Sequence, residues 1–484
     1  MRIIAAASLF PLALAAQRPQ QIAAHLTADA LKADVSLLAS DALQGRGTPS
    51  PGLDIAAEFI ASQFRRAGLE PAGGDEYFQT ALYKNVTPSA EPVGLSLNGA
   101  KANPAALSVQ DPIALDLSDA AILRVTAEPA ALNALTADQV RAKALVLDVP
   151  AAPQKAGGGR GGAMAIFRQL PGLIKLKPAA IVILSTTPGA TNRIARLREA
   201  SAEVTPVITV WDPDFRAALD VKPASLSIHI PAPLEVPVKL RNVICVLRGS
   251  DPTLKETYLL LTAHYDHLGV RENSPADDHI FNGANDDASG TASVIEIAHA
   301  LSRLPERPKR SIILMTVYGE ELGDLGSRYY AQHPVFPLAE TIADINLEQL
   351  GRTDDTQGPH VGMFNLTGFD YTNIPGLLGK AADTAGIRVV NDEKNSGPYF
   401  TRSDNAAFAA AGVPSTTLSV AYDFPDYHKA GDEWQKLDYD NMAKVDLAIA
   451  LGALDLANSD SVPEWNANNP ATARFIKARE EGAK

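Results

Sequence analysis

The sequence is short of cysteine and of basic residues, and each shortage excludes a class of protein. A single cysteine, Cys245, occurs in 484 residues, so no disulfide can form within the chain. It lies in the apolar run "NVICVL", where we expect a buried strand residue rather than a nucleophile. Acidic residues number 56 against 43 basic ones, and the formal charge is −13. Because nucleic-acid binding requires a basic face, this charge argues against a nucleic-acid partner.

The sequence also lacks an apolar run long enough to cross a bilayer. Its clearest apolar stretch, residues 3–14, is shorter than the roughly 20 residues that a membrane-spanning helix requires. Arg2 precedes this stretch, and the small-x-small pattern at residues 13–15 follows it, as in a secretory signal. We therefore predict a signal peptide at residues 1–16, a secreted or periplasmic location, and no membrane span.

The pattern of residue types changes along the sequence. Its 484 residues are more than a domain with a single hydrophobic core usually contains. Residues 24–94 and 239–460 combine amphipathic helical patterns with apolar strand patterns, which is typical of an α/β domain whose sheet is covered on both faces. Residues 95–238 consist of short β-rich runs separated by proline and glycine, which predicts a separate inserted domain. Residues 461–484 remain as a C-terminal tail.

Periodicity predicts the helices and strands of the α/β domain. In "GLDIAAEFIASQFRRAGLEP" the residues Ile55, Phe59, Ile60 and Phe64 share one helical face, and Gly68 ends the helix. Further helices are expected at "ASVIEIAHALSRL" and "DNMAKVDLAIALGALDLA". Strands are predicted at "NVICVLRG", "TYLLLTA", "SIILMTV", "TIADINL" and "PSTTLSV".

Imidazole and carboxylate groups follow successive predicted strands. In α/β sheets, ligands gather at the carboxyl ends of the strands, so these groups are expected to converge on one edge. They are His264, Asp266 and His267 in "TAHYDHLG", Asp286 and Asp287 in "NGANDDASG", Glu320 and Glu321 in "GEELG", Glu348 in "INLEQLGR" and His428 in "DYHKAGDE".

Each of these residues has an ordinary structural explanation when taken alone. Asp286 and Asp287, for example, could cap the helix that follows them. Together, however, crowded carboxylates repel one another, and their ionisation requires a strong positive charge nearby. Mixed histidine and carboxylate ligation suits Zn²⁺, and this many ligands suit two ions that share a bridging carboxylate.

These motifs, in this order, resemble the dinuclear zinc exopeptidases of the M28 family, which include secreted aminopeptidases and the glutamate carboxypeptidase II group. The resemblance covers residues 24–79 and about 239–458, and it implies a three-layer α/β/α fold with a mixed central sheet. The runs "AKALVLDV", "LKPAAIVILST" and "VTPVITV" resemble strands of a protease-associated (PA) domain, which family members often carry as an insert.

The resemblance also assigns roles to individual residues. Glu320 would be the general base that takes a proton from a zinc-bridged water, and Tyr427 would donate a hydrogen bond to the developing oxyanion. Asp266 would fix the tautomer of His264 or brace the site, whereas strand alternation places residue 267 on the opposite face. The implied ligands of two zinc ions are His264, Asp286 and Glu348 at the first, and Asp286, Glu321 and His428 at the second.

The chain departs from many family members at Glu348, where they place aspartate. Glutamate still supplies a carboxylate ligand, but the extra methylene lies where aminopeptidases hold the substrate amine. Arg402 and Asp404, in "TRSDNAAF", resemble a segment that lines the substrate side, and Asp432 either supports the site or forms a turn.

An aminopeptidase acting on peptide substrates is the leading hypothesis for function. A carboxypeptidase of the glutamate carboxypeptidase II type would need arginines to bind a terminal carboxylate, and Arg352 and Arg402 are the candidates. An aminoacyl cyclase and a receptor-type binding protein with the same fold are further alternatives. Retention of every metal-binding side chain and of Glu320 disfavours both of these.

Overall fold

The computed structural model describes residues 18–149, 161–186, 196–219, 225–274 and 277–482, so the predicted signal peptide lies outside the described residues. Among the described helices, none has the length and apolar character that crossing a membrane requires. The chain forms two compact units, Met1–Ala81 with Leu240–Lys484, and Leu82–Lys239. The second unit thus starts 13 residues earlier than the insert predicted at 95–238.

The first unit is built on one mixed sheet with strand order β7-β6-β8-β5-β3-β4-β2-β1. Strands β4, β3, β5 and β8 are neighbours and all run parallel, whereas β2 and β6 pair antiparallel with β4 and β8. The strands are β1 Phe78–Thr87, β2 Leu234–Leu247, β3 Tyr258–His264, β4 Ser311–Val317, β5 Thr341–Leu347, β6 Met363–Leu366, β7 Arg388–Val390 and β8 Ser415–Ser419.

Every residue of β3, β4 and β5 is buried, which explains why these strands are apolar runs rather than alternating patterns. Helices cover the sheet, and the mixed α/β fold predicted from the sequence is confirmed. The main helices of this unit are α1 Ala28–Leu38, α2 Pro51–Ala67, α3 Ser289–Ser302, α4 Leu325–Gln332, α5 Ile374–Ala385, α6 Asn405–Ala410, α7 Tyr439–Asn458 and α8 Ala473–Gly482.

Helix α2 shows how local sequence sets the ends of a helix and how its buried face can be misjudged. The Ser50 hydroxyl caps it by accepting from the Leu53 N–H at 3.1 Å, and Gly68 ends it in the left-handed conformation, as predicted. Ile55, however, is 52% exposed. The prediction for Ile55 was wrong because Leu53, Ile60 and Phe64, together with the small residues of the helix, form the buried face.

Helix α8 lies in the segment predicted as a C-terminal tail. Phe475 is buried, and its ring lies 5.5 Å from that of Phe400 and 4.8 Å from that of Trp465. This aromatic cluster anchors helix α8 to the first unit through Phe475, so the segment is a packed helix rather than a free tail.

The second unit contains a sheet with the three strands that the apolar runs predicted, and they pair parallel to one another. Alternate residues of these strands are buried in two separate hydrophobic clusters, one on each face. The strands of this sheet are Gly94–Leu97, Ala100–Lys101, Leu107–Gln110, Leu115–Thr126, Ala144–Asp148, Ala180–Leu184, Val207–Val210 and Ser225–Ile230, and the helices of the unit are Pro129–Asn133, Ala137–Val140, Gly161–Lys175 and Pro213–Ala218.

Candidate metal centre

The four neighbouring parallel strands deliver polar side chains to the same edge of the sheet. His264 is the last residue of β3, the turn Glu320–Leu322 follows β4, and Glu348 follows β5 directly. Asp286 lies in the tight turn Ala284–Ala288 that leads into α3, and His428 lies in the loop after β8. The convergence expected from the order of the motifs is therefore present in the fold.

The carboxylate of Asp286 lies between two sets of ligand atoms. Its Oδ1 is 3.3 Å from Nε2 of His264, and its Oδ2 is 3.2 Å from Nε2 of His428. Glu321 lies on the second side, with Oε1 3.3 Å from the same His428 nitrogen. The two oxygens of one aspartate thus face in two directions, as a bridging carboxylate must.

Two groups of side chains have their ligand atoms close enough together to hold an ion. His264, Asp286 and Glu348 form the first, and His267, Asp286 and Glu321 form the second, with the atoms of each group within 4.8 Å of one another. The expectation that residue 267 points to the opposite face is wrong. Strand β3 ends at His264, so the alternation of side chains does not extend to His267.

Two residues fix the backbone that carries Asp286. The carboxylate of Asp432 accepts hydrogen bonds from the N–H groups of Asn285 at 3.0 Å and of Asp286 at 3.1 Å. Asp287 points elsewhere, because its Oδ1 accepts from the N–H groups of Gly290 at 2.9 Å and Gln349 at 3.1 Å. Asp432 therefore holds the turn in place, and Asp287 ties the start of α3 to the end of β5.

Asp266 connects the His264 side of the site to Glu320. Its carboxylate accepts hydrogen bonds from the Glu320 N–H at 3.1 Å and from the Thr48 hydroxyl at 3.0 Å. The backbone carbonyl of Asp266 lies 3.2 Å from Nδ1 of His264, so Nδ1 can donate a proton to it and leave Nε2 free to bind a metal. The side chain braces the turn, and the main chain sets the tautomer.

Glu320 lies at the edge of the site without joining either group of ligand atoms. Its Oε2 is 3.9 Å from Nε2 of His264, and its side chain lines the cavity beside the metal groups. Burial raises the pKa of Glu320 well above its usual value, and the nearby Glu348 carboxylate raises the pKa further, against the opposing effect of His264. Burial likewise raises the pKa of Glu348 itself.

His428 and Tyr427 lie together in the loop after β8. Their rings stack with centroids 4.0 Å apart, and His428 has φ of +54°, a left-handed conformation that costs free energy in a residue other than glycine. Although burial lowers the pKa of His428, the Asp286 and Glu321 carboxylates raise it to about 10. The backbone strain is compensated by the position it gives the imidazole, between two carboxylates.

Arg46 is a functional residue that the sequence reasoning missed. It is fully buried, and it donates hydrogen bonds to the backbone carbonyls of Tyr265 at 2.8 Å, Asn282 at 2.7 Å and Gly283 at 3.0 Å. Burial lowers its pKa to about 10, while the surrounding acidic residues, among them Asp266, raise it. The segment "DALQGRG" contains a signal for this role, because the glycines on both sides of the charged Arg46 let other backbone segments approach closely.

A cavity of about 220 Å³ opens beside the Asp286 carboxylate. Tyr427 and Arg402 line it, and the exposed Arg402 guanidinium lies 4.4 Å from the centre of the Tyr399 ring. Asp404 is buried and accepts a hydrogen bond from the Ser327 hydroxyl at 2.6 Å, so it supports the core.

Arg352 does not line this cavity and is already paired. Its guanidinium donates to Asp354 at 2.7 and 2.6 Å and to Asp426 at 2.9 Å. Of the two arginines considered for binding a substrate carboxylate, Arg402 is the one at the cavity.

The donor set fits zinc. The buried atoms His264 Nε2, His267 Nδ1 and Glu321 Oε1 have no hydrogen-bond partner, although each lies among other polar atoms. Buried polar atoms are rarely left unpaired, and an ion at each group would satisfy them. A cation would also offset the repulsion that raises the pKa of Glu320 and Glu348.

Histidine and carboxylate groups at the parallel strand ends of this sheet are ligands of the kind that a zinc centre uses. More particularly, residues 242–452, just under half of the chain, match the model of Peptidase family M28. The solved aminopeptidase from Aneurinibacillus sp. strain AM-1 has a similar fold, with a TM-score of 0.52 at 19% identity over 91% of this chain and 96% of that one.

Curated relatives match over part of the chain. A probable zinc metalloprotease of Leptosphaeria maculans is 28% identical over 201 residues, covering 40% of this chain and 43% of that protein. A probable zinc metalloprotease of Pyrenophora teres f. teres is 34% identical, covering 47% of this chain and 50% of that protein. A probable glutamate carboxypeptidase of Zea mays is 28% identical, covering 46% of this chain and 32% of that protein. The chain spans half or less of the length of these relatives.

Proposed function

We propose that the protein is an aminopeptidase that binds two zinc ions and removes N-terminal residues from peptides. The observation that carries the proposal is the Asp286 carboxylate, whose two oxygens face two separate groups of ligand atoms beside an open cavity. His264 and Glu348 would complete the first site, and Glu321 and His428 the second. Asp286 would bridge them.

Glu320 would move the proton in this reaction. Zinc ions in such a site polarise the scissile carbonyl and lower the pKa of water. Glu320 lines the cavity and lies outside both ligand groups, so its carboxylate is free to accept the proton of the attacking water and return it to the leaving amine. Asp266 holds the Glu320 backbone, and Tyr427 would donate its phenolic hydrogen to the carbonyl oxygen.

The charge of the cavity favours a substrate with a free amine. Its lining includes the carboxylates of Glu320, Glu348 and Asp423, whereas Arg402 is the single arginine among the described lining residues. An ammonium group would be attracted to these carboxylates. With Arg352 engaged by two aspartates, a cluster of arginines able to hold a terminal carboxylate is missing from the described lining.

Hydrolysis of matched substrates tests this proposal. An aminoacyl-p-nitroanilide with a free amine should be cleaved, and the same compound with an acetylated amine should resist cleavage. Cleavage of only the blocked compound, or release of C-terminal residues from N-blocked peptides, would support the carboxypeptidase alternative instead. The His428→Ala variant should lose most activity and bind one zinc more weakly, and unchanged zinc binding would remove His428 from the ligand set.

We further propose that the protein is exported and that residues 95–238 form a PA-like domain. The signal pattern at residues 1–16 supports export, and a lone buried cysteine suits an oxidising compartment. Three neighbouring parallel strands within a larger β-rich sheet support the PA-like assignment. N-terminal sequencing of secreted protein would test the first point, with a mature start near residue 17 as the expected result.

A further inference from the structure

We propose that His267 is a ligand of the second zinc ion, together with Asp286, Glu321 and His428. The inference rests on the proposed two-zinc function, and it adds a residue to which the motifs assigned no role. It gives the second site two imidazoles and two carboxylates, against one imidazole and two carboxylates at the first.

The position of the His267 ring carries the inference. Its Nδ1 lies 2.8 Å from Oε1 of Glu321 and 3.9 Å from Oδ2 of Asp286, which are the two atoms that also face His428. The rings of His267 and His428 lie 5.8 Å apart at 70° to one another. The two histidines therefore approach the same pair of carboxylates from different sides.

Neither nitrogen of His267 makes a hydrogen bond, although its side chain is fully buried. Oε1 of Glu321 also lacks a hydrogen-bond partner despite its 2.8 Å distance from Nδ1. The two atoms are close but poorly aligned for donation, as expected when both direct lone pairs at a common ion. Burying these groups without any partner is unfavourable, and an ion bound to both would remove that cost.

The surrounding backbone is shaped to hold the imidazole. A Cβ on Gly283 would lie 2.3 Å from Cγ of His267, and Gly283 itself has φ of +60°, so glycine is required there for two reasons. The His267 N–H donates to the carbonyl of Arg46 at 3.3 Å, and Gly47 forms a β-bridge with His267. These backbone contacts hold the His267 imidazole beside the carboxylates of Asp286 and Glu321, in the position of a zinc ligand.

The consequence is a difference between the two ions. His428 is 37% exposed in its side chain, whereas that of His267 is fully buried. A buried imidazole on the second ion should retard its loss, and the additional nitrogen should favour zinc over the harder ions magnesium and manganese.

Cadmium NMR on the wild-type protein tests the ligand set without any substitution. The probe is ¹¹³Cd²⁺, exchanged for zinc in protein carrying ¹⁵N-labelled histidine, because cadmium couples to nitrogens bonded to it. Of the nine histidines, three should show coupling. Coupling at only two would overturn the role of His267 while leaving the two-metal proposal intact. Failure to bind two ions would instead overturn the proposed function.

A near-isosteric variant separates ligation from hydrogen bonding. In His267→Asn the amide nitrogen can take the place of Nδ1 as a donor to Glu321, but an amide binds zinc poorly. Substitution of a residue that only hydrogen-bonds a metal ligand typically lowers the affinity for the metal by about 10–100-fold. We expect the second zinc to bind more than about 100-fold more weakly, measured by competition with a chelator, with the first unchanged. A smaller loss would contradict ligation.

The matched control is His333→Asn, which removes an exposed imidazole stacked on Tyr329. Its affinity for both ions should equal that of the wild type. Circular dichroism of both variants at equal zinc loading checks that they are folded. If His267→Asn is unfolded, the cadmium measurement on the wild type alone decides the question.

Discussion

At the residue scale, the two adjacent glutamates after β4 occupy different positions at the site. Glu321 belongs to the second group of ligand atoms, whereas Glu320 lines the cavity and contacts neither group as a ligand. Under the proposed function, a single backbone step within the turn Glu320–Leu322 separates a side chain that would bind metal from one that would exchange a proton.

The first prediction concerns Glu320. The Glu320→Gln substitution keeps the size of the side chain but removes the base, so turnover should fall by about 10²–10⁴-fold, the usual contribution of general acid–base catalysis. Zinc content, measured by mass spectrometry, should stay at the wild-type level. Glu340→Gln, at an exposed glutamate, is the control. A near-normal turnover number for Glu320→Gln would show that the base has been misassigned.

The second prediction concerns Arg46. Arg46→Met removes the buried charge that faces four carboxylates and the donors to several backbone carbonyls. Breaking a buried charge network of this kind typically costs about 3–5 kcal/mol, so we expect that loss in the free energy of unfolding by urea titration. Arg65→Met removes an exposed ion pair with Glu76 and should change the free energy of unfolding by less than about 1 kcal/mol. Similar losses in both variants would contradict the account.

His267 and Arg46 show which residue roles the sequence could not supply. The side chains at strand ends were predictable because a strand ends where its apolar run ends. The orientation of His267 depends on where β3 stops, and on the space that Gly283 leaves. Besides the nearby Leu38 carbonyl, Arg46 donates to carbonyls more than 200 residues away in sequence, at Tyr265, Asn282 and Gly283. The local glycines show that close packing is possible at Arg46, but they do not identify these distant partners.

At the scale of elements, α7 and α3 pack against each other through ionisable groups with no direct part in the metal site. Asp446 on α7 is fully buried, and burial, followed by contact with Ser293 and the charge of Glu296, sets its pKa at about 8. Nearby, burial and Glu296 raise the pKa of Asp34 to about 8, and burial lowers that of His299 to about 4.

The third prediction is a pH dependence of stability due to Asp446. In the unfolded chain this carboxyl ionises near pH 3.8, and in the folded chain near pH 8. Between these values the folded state keeps a proton that the unfolded state loses, so stability falls as pH rises and levels off above pH 8. Asp446→Asn removes this loss.

We therefore expect Asp446→Asn to match the wild type near pH 4 and to become more stable than it by several kcal/mol toward pH 8, since one pKa unit corresponds to about 1.4 kcal/mol. The measurement is urea unfolding at a series of pH values. Asp455→Asn, at an exposed position on the same helix, should show no such trend. A constant difference between Asp446→Asn and wild type across this range would refute the explanation.

Elements differ in how far the sequence predicts them. The runs "SIILMTV" and "TIADINL" coincide with β4 and β5, because strands buried on both faces are largely apolar, although β5 also buries Asp344 and Asn346. The face of α2 was misjudged at Ile55, since a helix carrying many alanines can turn its small residues inward. Helix α8 was missed because few of its residues are apolar, and Phe475 alone among them is buried.

At the scale of the whole molecule, we expect metal binding and folding to be coupled. The first unit gathers Asp286, Glu320, Glu321 and Glu348 into one buried region, and like charges so close together oppose folding. A ligand that binds only the folded state stabilises it by about 2.7 kcal/mol at a concentration 100 times its dissociation constant.

The fourth prediction follows from this coupling. Removal of zinc with a chelator should lower the melting temperature, and adding zinc back should restore it, as measured by calorimetry. Calcium at the same concentration is the control, because it prefers a shell of oxygen ligands and should restore much less. Equal melting temperatures with and without zinc would contradict the idea that the ions compensate the carboxylates.

The most direct test of the central claim is anomalous diffraction at the zinc absorption edge from crystals of the wild-type protein grown with zinc. The account predicts two peaks, one on each side of the Asp286 carboxylate, with His264 beside one and His267 and His428 beside the other. A single peak, or none near Asp286, would contradict it.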